Sequence, residues 1–161
     1  MDSKYSLKKQ IANDYLTLTT LIGTIVFLIF LIGILGFGIA LTKRDGIIIL
    51  ENKEKLIFGI IFSVFSILCF IFFILRIKTC KYLVNNGLEI DAKIIDVYYY
   101  KDRGRIEYIY NINNKEFKRG AGIHITKDTK DYKKDDIIKL LIDPKNNKRN
   151  IIKNNFINNE W

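Results

Sequence analysis

Apolar and polar positions divide this chain into two unlike halves. From Leu16 to Leu41 runs an uncharged stretch of 26 residues, LTLTTLIGTIVFLIFLIGILGFGIAL, and from Leu56 to Leu75 a second of 20, LIFGIIFSVFSILCFIFFIL. As helices they would be about 39 Å and about 30 Å long, against a hydrocarbon core of about 30 Å. Both are apolar all round, which argues against the one-sided stripe of a soluble core helix. The first run is too long for a signal peptide, follows a 15-residue tail and precedes no small-residue cleavage site, so it reads as a retained anchor.

Beyond Lys81 the period changes to that of strands. Residues 82–87 form a junction. Leu88–Tyr100 is rich in β-branched and aromatic residues. Ala92 and Ile94 share one face and Ile95, Val97 and Tyr99 the other, a parity switch that predicts a bulge. Residues 101–105 form a charged turn. Ile106, Tyr108, Tyr110 and Ile112 then face one way, and Glu107, Ile109 and Asn111 the other. Asn113-Asn114 suits a tight turn, because Asn tolerates positive φ. Residues 115–119 return antiparallel, and 120–132 read as a looser stretch. Ile137–Ile142 is nearly continuous in apolar residues and therefore central; Asp143-Pro144 ends it, and Ile151-Ile152 begins a last strand.

The predicted fold class is a membrane α-hairpin of two transmembrane helices plus a small all-β domain. About five short antiparallel strands would form a curled sheet or partly open barrel, which limits free edges. The expected layout is an N-terminal tail (1–15), helices at 16–41 and 56–75, an external loop (42–55) and a basic juxtamembrane junction (76–87). The β domain (88–153) and an Asn-rich tail (154–161) complete it. The tail should fray, with Phe156 and Trp161 able to dock.

Three sequence features bear a family resemblance. Gly87, Ala92 and Ile94 match a glycine followed by an apolar strand. Tyr108, Tyr110 and Ile112 match an aromatic hairpin strand, and Asp143, Pro144 and Asn146 match a terminal turn. With two preceding spans, this resembles the bacterial domain-of-unknown-function family numbered 3592. The resemblance covers residues 85–152 and implies membrane location with no assigned activity. Asn113-Asn114, Ile142 and Asn147 depart from the family's pattern.

Charge gives the hairpin an expected sidedness. The net charge of +9 divides as +5 over residues 1–81 and +4 over 82–161. Lys4, Lys8, Lys9, Arg76, Lys78, Lys81 and Lys93 flank the termini, against Lys43, Arg44, Lys53 and Lys55 in the loop. The positive-inside rule then puts both termini in the cytoplasm of a multi-pass plasma-membrane protein. Lys43, Arg44, Arg76, Lys78 and Lys81 are the expected headgroup contacts, with the lipid bilayer as partner. Gly36 and Ala40, and Gly59 and Ser63, are small residues four apart that would let the helices pack closely, or let hairpins self-associate. The composition is rich in residues with AT-rich codons, which supplies lysine for reasons unrelated to ligands. Nucleic acid is therefore disfavoured as a partner.

Catalytic chemistry finds little to work with. Cys69 and Cys80, about 16 Å apart on one helix, cannot form a disulfide, and with a single histidine they make no zinc spacing. No metal or cofactor is expected. His124 has no serine within the β domain to activate, and neither span carries an ionisable group for a proton relay. Gly120-Ala121-Gly122 could admit an anion to its backbone but lacks the helix of a phosphate loop. Tyr98, Tyr100, Lys101, Arg103 and Arg105 are the candidate ligand or partner surface, set against a plain role for the tyrosines as cross-strand pairs. The leading expectation is a membrane-anchored β-domain module that binds a protein partner. The alternatives are a ligand-gated sensor or effector binding a small anion, and an immunity protein against a membrane-acting toxin. An enzyme comes last.

Overall fold

The computed structural model describes residues 5–42 and 46–157, which divide into two compact units, residues 19–75 and residues 1–18 with 76–161.

The first unit is an antiparallel helix pair. Helix α2 spans Tyr15–Ile32 and continues as a π-helical turn, Gly33–Phe37. It stops at Gly38, whose φ of 65° is left-handed and whose N–H closes the last turn on the carbonyls of Gly33 and Ile34. The helix therefore ends at residue 37 rather than 41. Strands β1 (Ile39–Thr42) and β2 (Gly46–Ile49) follow as an antiparallel hairpin. Ala40 consequently pairs with Ile48 in that hairpin and lies on no helix face. Lys43 and Arg44 fall outside the described residues.

Helix α3 spans Asn52–Asn86, about 50 Å at 1.5 Å per residue, with the Glu54 carboxylate accepting from the Glu51 N–H in a capping box. It runs unbroken through residues 76–86, where a separate junction was expected; nothing in that segment breaks a helix before Gly87. The helices of the pair meet through Phe27 and Phe30 against Phe62 and Phe65, with ring centroids 5.4–6.0 Å apart. Gly59 packs against Leu35 and Gly23 against Cys69, so small residues do set close approaches, at 59 and 23. Gly36 does not: a side chain there would meet nothing within 4 Å. Both helices are long and apolar enough to cross a membrane. Ile22, Ile29, Ile32, Leu56 and Ile67 are among the many exposed apolar side chains.

The second unit is a five-stranded antiparallel sheet, nearly closed and barrel-like. Its strands are β3 (Leu88–Tyr100), β4 (Arg103–Ile112), β5 (Lys115–His124), β6 (Ile137–Asp143) and β7 (Asn146–Ile152), in the order β5-β4-β3-β6-β7. The parity switch in β3 is a bulge, with the register shifting between Ile94 and Asp96. Asn113 and Asn114 both take positive φ in the β4–β5 turn. Strand β5 runs on through residues 120–124, where the glycines pair with Glu107 and Arg105 of β4. Strand β7 starts at 146, since the Asp143 carboxylate accepts from the Lys145 N–H and tightens the turn.

Two apolar clusters hold this unit. Inside the barrel lie Ala92, Ile94, Ile106, Tyr108, Tyr110, Ile123, Leu140 and Ile142. On the outer face of β6 and β7, Leu141 and Ile151 pack with Cys80, Leu83 and Val84 of α3 and with Phe156 and Ile157. Strand β6 is covered on both faces, which is why it is apolar without alternation. The tail expected to fray thus docks at Phe156; Trp161 lies outside the described residues. Residues 5–18 are no loose tail either. Helix α1 (Leu7–Asn13), capped by Ser6, packs along β5, and the Ser6 N–H donates to the Phe156 carbonyl at 2.9 Å.

Gly87 joins α3 to β3 in tight quarters: a Cβ there would stand 2.4 Å from the Leu83 carbonyl oxygen and 3.1 Å from Leu141 Cβ. Gly87→Ala should therefore destabilise the protein by about 1–3 kcal/mol, whereas Gly36→Ala should change stability by less than about 0.5 kcal/mol. Thermal unfolding of the detergent-solubilised chain separates the two; equal effects would contradict the close approach.

Candidate functional site

Cross-strand register places one cation where an apolar residue would be expected. In β5, Phe117, Arg119 and Ala121 pair with Tyr110, Tyr108 and Ile106 of β4. Those β4 residues are buried, so Arg119 stands in an inward-facing row of the sheet. Its Nε is buried and, among the described residues, has no hydrogen-bond partner. A buried guanidinium nitrogen without an acceptor is costly and marks a place where an acceptor would be stabilised.

Arg119 borders a partly enclosed cavity of about 380 Å³, lined also by Arg76, Lys148, Asp14, Tyr108 and Asn150. It lies between β5 and β7, the two edges of the sheet, at the seam where the barrel does not close. Three cationic side chains thus face one carboxylate. That carboxylate is already committed: Arg76 holds it in a fork, Nε to Oδ2 at 3.0 Å and Nη2 to Oδ1 at 2.8 Å. Asp14 Oδ2 also accepts from the Thr17 N–H at 3.1 Å and the Thr17 hydroxyl at 2.5 Å, which caps α2. The positive charge of Arg119 and Lys148 remains uncompensated within the lining, and such a site is complementary to a small anion.

The neutral part of the wall is rigid. The Tyr108 hydroxyl donates to Asn150 Oδ1 at 2.6 Å, Asn150 Nδ2 donates to the Tyr110 hydroxyl at 3.0 Å, and that hydroxyl donates to the Asn147 carbonyl at 2.8 Å. These bonds join β4 to β7, strands that are not neighbours in the sheet, and so draw the curl towards closure. Burial above all, then the neighbouring Tyr110, pushes the Tyr108 hydroxyl well above the usual tyrosine range, so it stays a neutral donor. Behind Asp14, the Tyr5 hydroxyl donates to Gln10 Oε1 and Gln10 Nε2 donates to the Thr17 hydroxyl at 2.8 Å. Burial raises the Tyr5 pKa to about 12.

The expected surface residues form a second cluster. Tyr98 pairs with Arg105 and Tyr100 with Arg103 across β3 and β4, and together they line an open groove of about 350 Å³. The Lys101 Nζ lies 5.4 Å from the Tyr100 ring centre. Tyr99, on the opposite face, donates to the Thr129 carbonyl at 2.8 Å and is structural. Of the expected headgroup contacts, Lys78 and Lys81 are exposed, but Arg76 is bound to Asp14 with its side chain only 25 % exposed. His124 stands 3.6 Å from the Asp102 carboxylate. Among the described residues no three metal-ligating side chains come together.

Asp14, Arg119 and Lys148 were not singled out from sequence. For Asp14 a signal existed: Asp14-x-x-Thr17 ahead of an apolar run is a helix-start pattern. For Arg119 it was parity, two residues beyond the inward Phe117. Neither a family profile, nor a curated protein, nor a solved structure matches the chain.

Removing one partner of a buried ion pair strands the other. Asp14→Asn should therefore lower stability by about 3 kcal/mol, and the double variant with Arg76→Gln should cost less than the sum of the singles. Denaturant unfolding of all three variants measures the coupling; strict additivity would show that the pair contributes nothing.

Proposed function

We propose that this chain is a multi-pass plasma-membrane protein whose β domain is a binding module for a small anion, and that it acts as a membrane-anchored sensor or effector. The observation that carries this reading is the buried Nε of Arg119, without a hydrogen-bond partner among the described residues, at a cavity shared with Arg76 and Lys148. The membrane part rests on two helices with apolar side chains exposed along their length. The anion reading takes up the expected alternative, a sensor or effector binding a small anion, in preference to the module for a protein partner. Kinship with the domain-of-unknown-function family 3592 belongs to the same proposal; Gly87 and the Asp143-Pro144 turn support it by standing where strands begin and turn. No catalytic step is assigned.

The test is calorimetry on the full chain in a zwitterionic detergent with inorganic phosphate, succinate and adenosine monophosphate as probes. At least one should bind. Arg119→Gln should weaken that binding about tenfold to a hundredfold, the worth of a charged hydrogen bond. Silence from all three probes, or an Arg119→Gln variant that binds unchanged, sinks the anion reading.

Seven basic residues on the terminal side against four in the loop support cytoplasmic termini. Cys80 is fully buried and unsuited to report on this. A cysteine introduced at the exposed Lys115, the first residue of β5, should escape a membrane-impermeant thiol reagent in intact cells and react after lysis. Labelling in intact cells would reverse the orientation.

A further inference from the structure

The groove on the outer face of β3 and β4 carries an inference independent of the cavity. Arg103 is exposed, yet its guanidinium is fixed between two aromatic rings, 5.9 Å from the centre of Tyr15 and 5.7 Å from that of Tyr100. Its Nη1 also donates to the Tyr15 hydroxyl at 3.1 Å. Stacked guanidinium groups keep their outward N–H donors available and lose little freedom when they bind an anion.

Tyr15 is the first residue of α2, one position before the uncharged run that begins at Leu16. A group bonded to the Tyr15 hydroxyl therefore stands where the chain enters that run. Tyrosine at such a boundary, with arginine and lysine beside it, is the composition of the headgroup zone. Tyr98 and Tyr100 are 66 % and 47 % exposed, too apolar for a purely solvated face. Lys101, Arg103 and Arg105 supply three positive charges around them. The groove itself is lined by Tyr98, Tyr100, Arg103, Gly104 and Arg105, with no carboxylate in its wall. The neighbouring acids are Glu107, 3.4 Å from Arg105 and shared with Lys118 at 3.1 Å, and Asp102, which faces His124.

We propose that the Tyr98–Arg105 face docks on anionic phospholipid headgroups, with Arg103 clamped by Tyr15 and Tyr100 as its fixed phosphate donor. Lys101 and Arg105 add long-range attraction, and the tyrosine rings settle among the glycerol and carbonyl groups. This assigns the headgroup role to a set of residues different from the helix-flanking lysines.

The test uses the full chain, purified in an uncharged detergent and titrated with phosphatidylglycerol or phosphatidylcholine of the same acyl chains, with bound lipid counted by native mass spectrometry. Wild type should prefer phosphatidylglycerol. Lys101→Gln, Arg103→Gln and Arg105→Gln combined should reduce phosphatidylglycerol affinity more than tenfold, at about fivefold per cation, and leave phosphatidylcholine binding unchanged. Arg105→Gln alone, at a largely exposed side chain, should lose about fivefold and keeps the test decisive if the triple variant fails to fold. No preference in wild type, or a preference that survives these substitutions, overturns the proposal. So does its loss in Lys148→Gln alone, which would put the lipid in the seam cavity. Preferential binding of an acidic peptide or a single-stranded oligonucleotide at this face, without lipid preference, also overturns it.

Discussion

Asp14 answers three demands at once. Its backbone N–H closes α1 on the Gln10 carbonyl, and its carboxylate caps α2 through Thr17 and neutralises Arg76 of α3 in a two-bond fork. Its side chain is 7 % exposed. At that burial an isolated charge would cost several kcal/mol, so the arrangement holds only because both ions and their remaining hydrogen-bonding positions are satisfied together. Tyr5, Gln10 and Thr17 extend the network behind it. Segments far apart in sequence, residues 5–17 and the end of α3, are thereby fixed against the same sheet. Polar networks of this kind specify one arrangement more sharply than apolar packing, because a partial version is worse than none.

The barrel depends on this clasp for what it leaves open. Five strands with a bulge at Ile94–Asp96 curl far enough for Tyr108 and Tyr110 to reach β7, but β5 and β7 do not pair with each other. Helix α1 packs along β5, and α3 with Phe156 covers the outer face of β6 and β7. Both edge strands thus acquire neighbours, and the seam between them becomes a polar cavity instead of a bare edge. Had Asp14 no arginine partner, its carboxylate would offset one of the two positive charges of Arg119 and Lys148. Because Arg76 takes that carboxylate, the positive charge of Arg119 and Lys148 is left uncompensated within the lining.

Much of this was legible in the chain, and the reasons differ by element. The two apolar runs needed only counting. The bulge in β3 was written as a parity switch, and the β4–β5 turn as Asn113-Asn114, one of the few pairs that accepts positive φ at both positions. The continuous apolar run of β6 marked a strand covered on both faces, although β3 is the middle strand of the five. Boundaries failed where local pattern competed with tertiary pairing. Residues 120–124 looked loose because glycine weakens a strand, yet β4 pairs with them throughout. Ala40 looked helical because Ile39–Leu41 is apolar, but a left-handed Gly38 ends the helix first. Arg76 looked like a headgroup lysine's equivalent because its partner lies 62 residues earlier.

The sequence by itself determined that there are two long uncharged apolar runs, each within a helix, and a small β domain, because both follow from period and length, which are local properties of the chain. It also determined which tyrosines face inward, through alternation along β4. Only the tertiary structure decided that Asp14 meets Arg76, that Arg119 turns inward with its Nε unpartnered among the described residues, and that Arg103 is held by Tyr15 as well as Tyr100. Asp14 with Arg76 and Tyr15 with Arg103 are pairings of residues separated by tens of positions. Nothing in a residue's own neighbourhood encodes its distant partner; the coiling of the sheet and the docking of the segments before α2 and at the end of α3 do.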